Sequence, residues 1–426
     1  MMKISRYGEV PDQEIFARNE SLPDVRMAVS EILEAVRQKG DEALLAYCKR
    51  FDGAVPQPFS FGREELKAAA EQTDPALLGA LTRAADNIRA FHEKQKRQSF
   101  EMKAANGALL GQRVMPLDRV GLYIPGGTAA YPSTVLMNAI PAKIAGCREV
   151  IMVSPAKDGQ PPAQAVLAAA YVAGVDRVFA IGGAQAIAAL AYGTESVPKV
   201  DKIVGPGNVF VAEAKRQVFG TVAIDMIAGP SEILVIADEK SNPAFVAADL
   251  LSQAEHDVNA SAVLVTDSPP LAETVQAEVE RQLVLLPRES IARASIERNG
   301  KIIVTESLKE AADISNTIAP EHVELCVEDP FELLKQIRYA GSVFLGRSCP
   351  EAVGDYYAGT NHTLPTLGTA RFSSPLSVDD FIRKSQYIYY PREALCAAVK
   401  DIETLAETEG LHAHAKSAAI RFQKEE

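Results

Sequence analysis

The residues best suited to chemistry are a few histidines with polar neighbours. Pro320-Glu321-His322 sets a carboxylate beside an imidazole. In a loop such a pair lines one site as general base and proton shuttle. At the start of a strand the two side chains point to opposite faces instead. Leu251-Ser252-Gln253-Ala254-Glu255-His256 puts Gln253 and His256 three apart. On a helix they share a face, near a C-terminal end whose dipole favours a cation. An amide oxygen with an imidazole is half of a zinc or manganese site, or else a surface pair. Gly354-Asp355-Tyr356 offers a carboxylate in a loop, and His412 and His414 stand two apart behind Glu409. His92, beside Phe91 on an amphipathic helix, reads as structural or solvated. His362 sits in a polar loop, with no role assigned.

The five cysteines are scattered, with no CxxC pair. Nothing in that pattern suggests a disulfide framework or a thiolate zinc knuckle, and it suits a reducing, cytoplasmic compartment. Cys349, in the loop Arg347-Ser348-Cys349-Pro350, is a better thiolate nucleophile than Cys147 in its apolar turn, but neither has a recognisable context.

Three glycine turns follow β-branched runs and open helices: Leu122-Tyr123-Ile124-Pro125-Gly126-Gly127, Ile181-Gly182-Gly183-Ala184-Gln185 and Val204-Gly205-Pro206-Gly207-Asn208. Glycine lets a backbone approach a phosphate closely, and the next helix offers free N–H groups. Asn208 is suited to capping its helix. Strand-to-helix turns also use glycine for geometry alone, but three on one sheet edge favour a nucleotide site. There is no GxGxxG fingerprint.

The elements that must position these residues alternate. Runs at 119–124, 149–153, 177–181, 202–204 and 232–236 read as strands, and a second series follows at 262–265, 301–304, 322–327 and 342–345. Helical segments between them argue for parallel sheets built from βαβ units. In such sheets ligands bind at the carboxyl edge, and Glu321-His322 precedes its strand, on the other edge. The first hundred residues read as helices, including 25–38 and a helix capped by Asp74-Pro75. From about Ser377 a separate arm carries a short aromatic strand at 387–390 and closing helices.

Length and charge set the outer limits. The chain has 426 residues, 44 basic against 56 acidic, and a net charge of −12. A prior of two to three domains follows. The acidity argues against nucleic acid or an anionic membrane surface as main partner. The first ten residues lack the apolar core of a secretory signal. The apolar stretches 165–175 and 178–191 read as buried elements, since Asp176 and Arg177 separate them.

Taken together the motifs resemble histidinol dehydrogenase. The matching segments are Val120-Gly121-Leu122-Tyr123-Ile124-Pro125-Gly126-Gly127, Gly182-Gly183-Ala184-Gln185-Ala186, Gly205-Pro206-Gly207-Asn208, Ala228-Gly229-Pro230-Ser231-Glu232, Ser252-Gln253-Ala254-Glu255-His256, Ala319-Pro320-Glu321-His322, and Gly354-Asp355-Tyr356 leading to Gly359-Thr360-Asn361-His362. Each is weak alone; seven in order, over nearly the whole chain, are specific. The resemblance implies oxidation of L-histidinol to L-histidine in two NAD-dependent steps through a bound aldehyde, with one zinc per site, in a homodimer. It implies zinc on Gln253, His256, Asp355 and His414, the last supplied by the partner subunit. It implies substrate contacts from the same four residues together with Ser231, His322 and Glu409, and NAD contacts from Tyr123, Gln185 and Asn208. His322 and Glu321 become the proton-transfer residues, His322 for both hydride steps and Glu321 for hydration of the aldehyde.

The expected fold is α/β: two incomplete Rossmann-like parallel-sheet domains with a helical N-terminal part and a small C-terminal arm. The expected boundaries are a segment 1–24, a metal and catalytic domain from 25–118 with 237–376, an NAD domain 119–236, and an arm 377–426 reaching the partner. Two other readings compete. A zinc hydrolase with Glu321 as base leaves the glycine loops unexplained, and a non-enzymatic two-domain binding protein needs no Glu-His pair.

Overall fold

The computed structural model describes residues 1–17, 23–55, 57–126, 130–156 and 158–423. Gly127, the last residue of the first glycine turn, lies outside them. One compact unit comprises residues 1–95 and 117–381, and a second comprises 96–116 and 382–426.

The first unit holds two six-stranded sheets. The first sheet runs Ser60–Phe61, Arg177–Phe179, Glu149–Val153, Arg119–Tyr123, Lys202–Val204, Ala223–Ile224. It is parallel except at Ser60–Phe61. The second sheet runs Lys3–Arg6, Lys301–Val304, Ser261–Thr266, Glu232–Ala237, His322–Cys326, Ser342–Leu345, and is parallel throughout. The central strand Glu232–Ala237 is buried at every residue, as the continuous apolar run Ile233 to Ala237 requires of a strand covered on both faces. Helices Gln164–Ala173 and Gly183–Tyr192 are apolar nearly all round because they too are buried on most sides. Among the described residues no helix is long and apolar enough to cross a membrane.

Several expected boundaries are corrected. Helices Arg26–Lys39 and Asp41–Asp52, expected with the second sheet, pack on the first. Val29, Ile32, Leu33, Val36 and Leu44 share a core with Phe179, Ile187 and Leu190. The physical reason is the outer face of Gly183–Tyr192, an apolar surface that needs cover. Burying each such side chain is worth roughly 1.5–3 kcal/mol. The strand Glu232–Ala237, assigned to the NAD domain, belongs to the second sheet, where it pairs with strands on both sides. Within the segment 1–24, Lys3–Arg6 adds an edge strand to the second sheet beside Lys301–Val304. The first hundred residues are also not all helical: they include the edge strand Ser60–Phe61, and a hairpin starts at Phe100–Lys103.

The second unit is a three-stranded antiparallel sheet, Ile382–Tyr389, Leu109–Pro116, Phe100–Lys103, with helices Arg392–Thr408 and His412–Ala419. The arm's strand is thus longer than 387–390, and residues 96–116 belong with it because eight backbone pairs join Leu109–Pro116 to Ile382–Tyr389.

Candidate active site

A cavity of about 720 Å³ opens in the first unit. Its walls come from opposite edges of the two sheets. From the first sheet come turns at the carboxyl ends of strands, Pro125 and Gly205 to Asn208. From the second come residues at the amino ends: Ser231 before Glu232–Ala237, and Glu321 and His322 at the start of His322–Cys326. The rule that ligands bind at carboxyl edges therefore holds for one sheet and fails for the other. The loop carrying Asn361 and His362 joins the halves. Asn361 donates Nδ2–H to the Met137 carbonyl at 2.7 Å, and His362 Nε2 lies 3.2 Å from the Thr134 hydroxyl, both on the helix after the first glycine turn.

Gln253 and His256 reach this cavity as one group, though not from one helix. The helix Pro243–Ala254 stops before His256, which lies in the following turn, its backbone N–H on the Gln253 carbonyl at 3.1 Å. The end of the Gln253 amide that faces Glu351, 2.5 and 3.1 Å from the two carboxylate oxygens, meets only acceptors and is therefore assigned as the nitrogen. The amide carbonyl is then the side chain's acceptor. His256 is open to the cavity, yet desolvation by the cavity wall lowers its pKa against the pull of Asp355. A neutral imidazole is the form a metal takes. Asp355 lies in the last turn of the short helix Glu351–Tyr356 and is held low: burial opposes ionisation, and His322, His362 and His256 outweigh it.

His322 is buried. Its Nδ1 lies 3.0 Å from the Glu232 backbone carbonyl. A carbonyl only accepts, so Nδ1 carries the hydrogen and Nε2 is the atom left to exchange a proton. Nε2 is buried, with no hydrogen-bond partner among the described residues, 3.8 Å from Asp355 Oδ1. Burial opposes a charge on the ring, but Glu351, Glu321 and Asp355 outweigh it and push the pKa up to about 10. Neutralising Asp355 by a cation removes one of those carboxylates and brings the ring back towards neutrality. Glu321 is buried and pushed up to about 8, by burial first and against the pull of His322. Its Oε2 accepts the Glu232 N–H at 2.9 Å. His322 is the first residue of its strand, and Glu321, just before it, lines the same cavity.

Sequence reasoning missed Glu351. Its carboxylate receives Gln253 and the Ser252 hydroxyl at 3.0 Å and lies 3.6 Å from His322 Nδ1. His322, Glu351 and Asp355 offer ligand atoms within 4.8 Å of one another. Because Glu351 is already engaged by Gln253 and Ser252, it supports the donors. The available signal was spacing, four residues before Asp355.

The three nicotinamide-assigned residues divide. Asn208 lines the cavity and caps its helix, accepting from the Phe210 and Val211 N–H groups at 3.1 and 3.2 Å. Tyr123 and Gln185 are buried and do not line it; the Tyr123 hydroxyl accepts the Gly183 N–H at 3.1 Å. Glu409 and His414 are exposed residues of the second unit. His362 does line the cavity, with Nδ1 2.9 Å from the Asp355 carbonyl. His92 is structural: it is buried, with Nδ1 on Gln95 at 2.7 Å.

The sequence profile of histidinol dehydrogenase matches residues 17–422. The chain belongs to the histidinol dehydrogenase family. It is 56% identical over 402 residues to a histidinol dehydrogenase of Bacillus cereus, covering 94% of each chain. It is 56% identical over 412 residues to one of Syntrophotalea carbinolica, covering 96% of this chain and 95% of the relative. The crystal structure of a histidinol dehydrogenase from Elizabethkingia anophelis superposes with a TM-score of 0.93 at 38% identity, covering 99% of this chain and 98% of that one. The chain is accordingly an oxidoreductase of the histidinol dehydrogenase family, with the mixed α/β parallel-sheet architecture expected of it.

Proposed function

We propose that this chain converts L-histidinol to L-histidine through a bound aldehyde, in two NAD-linked hydride transfers, with zinc held by Gln253, His256 and Asp355. The observation that carries the reading is His322, a buried imidazole with Nδ1 anchored and Nε2 free, in one cavity with those three donors. An amide oxygen, a neutral imidazole and a carboxylate make the borderline donor set that zinc takes, with positions left over. His414, from a second copy of this chain, is the fourth ligand in this reading. Glu409 of that copy joins Ser231 as a substrate contact.

Bound NAD supplies the hydride acceptor and bound zinc supplies charge that orients the substrate's nitrogens. The remaining work falls to the chain. His322 Nε2 takes the alcohol proton as the carbinol carbon gives up hydride. Glu321, whose raised carboxyl is suited to taking a proton near neutral pH, activates water to hydrate the aldehyde. His322 takes a proton again in the second oxidation. This water route needs no thiolate. Tyr123, Gln185 and Asn208 are assigned to the nicotinamide cofactor, one from each glycine turn. Five unpaired cysteines are compatible with a cytoplasmic setting.

The test is NADH formation from L-histidinol and NAD, with and without a zinc chelator. Two NADH per histidinol, lost on chelation and restored by zinc, is the expected result. One NADH per histidinol reduces the reaction to a simple alcohol oxidation and removes the hydration role of Glu321. No NADH from folded, zinc-loaded protein overturns the proposal.

A further inference from the structure

Among the described residues, the most deeply buried ion pair outside the catalytic cluster joins Lys215 and Asp225, whose side chains are 3% and 1% exposed. Neither has a part in the chemistry above. Lys215 Nζ also donates to the Gly205 carbonyl at 2.9 Å. Asp225 Oδ2 accepts the Gly205 N–H at 2.7 Å, and its Oδ1 accepts the Met226 N–H at 2.7 Å. The pair therefore grips both polar groups of Gly205, the first residue of the third glycine turn, and the start of the segment that leads to Ser231. Both segments line the cavity. Gly205 itself has φ +112° and packs on the Tyr123 carbonyl so closely that a Cβ would overlap it.

Stability alone does not call for this arrangement. A buried ion pair is about matched by apolar groups of the same volume, because desolvation offsets the Coulomb gain. What apolar groups cannot do is hold a glycine peptide in place from both ends. A turn that meets a nucleotide through its backbone N–H groups has to be held in this way.

We infer that Lys215 and Asp225 are positioning residues for the nicotinamide cofactor, acting through the backbone of Gly205 to Asn208. The inference rests on the NAD-linked reading above. Its test is direct binding of NADH, followed by the fluorescence of the bound cofactor, which does not depend on turnover of histidinol. The double variant Lys215→Met/Asp225→Asn removes both charges together and leaves one acceptor for the Met226 N–H. The expected result is NADH affinity reduced about tenfold, with histidinol affinity and zinc content within about twofold of the parent protein. A folded variant with unchanged NADH affinity overturns the inference. If the variant does not fold, hydrogen exchange of the unaltered protein decides. The peptide spanning 204–208 is expected to be protected like the adjoining strand before any cofactor is added, and exchange there at open-loop rates overturns the inference. Failure of the parent protein itself to bind NADH overturns the NAD-linked reading and this inference with it. NADH binding by the parent and by the double variant alike overturns this inference only.

Discussion

The backbone of one residue holds both Glu321 and His322: the Glu232 carbonyl accepts from His322 Nδ1 at 3.0 Å, while the Glu232 N–H donates to Glu321 at 2.9 Å. Glu232 opens the strand paired with that of His322, in the register Ile233 to His322. Because a backbone group sets the tautomer, no side-chain substitution at Glu232 removes the anchor directly. The side chains of His322 and Glu321 are thus tied to the first residue of a central strand of the sheet.

Replacing the base should separate chemistry from metal binding. His322→Asn is expected to lower turnover by about 10²–10⁴, with zinc content unchanged by elemental analysis. Full activity in this variant would remove His322 from the base role.

His256→Ala should do the reverse. The side chain is exposed to the cavity, so the melting temperature of the metal-free protein should hardly move. Bound zinc should fall below one per chain after dialysis; unchanged zinc content would refute His256 as a ligand.

Glu351→Ala leaves the Gln253 amide without its acceptor. Loss of such a supporting group typically weakens metal binding by about 10–100-fold. Competition with a chromogenic chelator measures this, and parental zinc affinity would show that Glu351 does not orient Gln253.

Gly205→Ala places a Cβ on the Tyr123 carbonyl at a positive φ. Strain of this kind costs about 1–3 kcal/mol before the clash is counted. A chemical denaturation midpoint equal to the parent's would show that the turn relaxes freely.

Behind Glu351 lies a second acidic pair that imposes a pH dependence on stability. Asp249 is pushed up to about 6 by burial, and Glu324 is raised well above the ordinary range by burial and then by Asp249. Carboxyls with raised folded-state values bind protons more tightly folded than unfolded. Their contribution is fully present below the unfolded value, and it is lost as pH rises through about 6 and beyond. Glu324→Gln keeps an acceptor for the Glu351 N–H, which now reaches Glu324 Oε1 at 2.8 Å. It should raise the melting temperature on the alkaline side of that window relative to the acid side. An equal shift at both pH values would show that the pair does not titrate with folding.

The alternation of strand and helix from Arg119 to Leu345 was legible in the sequence because parallel strands buried on both faces read as short β-branched runs. Lys202–Val204, Lys301–Val304 and Ser342–Leu345 coincide with the ranges expected. Local chemistry was equally legible: Asn208 and Asp74 cap the helices they precede, because capping needs only the next three residues. The motifs named the family, and with it Gln253, His256, Glu321, His322 and Asp355, which the fold brings to one cavity. Tertiary structure decided what depends on distant partners. Periodicity shows that helix Arg26–Lys39 has an apolar face, but not which sheet it covers. Two-residue edge strands such as Ser60–Phe61 exist only because a neighbour pairs with them. The site joins the carboxyl edge of one sheet to the amino edge of the other, so no rule read along a single strand could locate it. The tautomer of His322, the support of Gln253 by Glu351, and the grip of Lys215 and Asp225 on Gly205 all link residues through space rather than through local pattern.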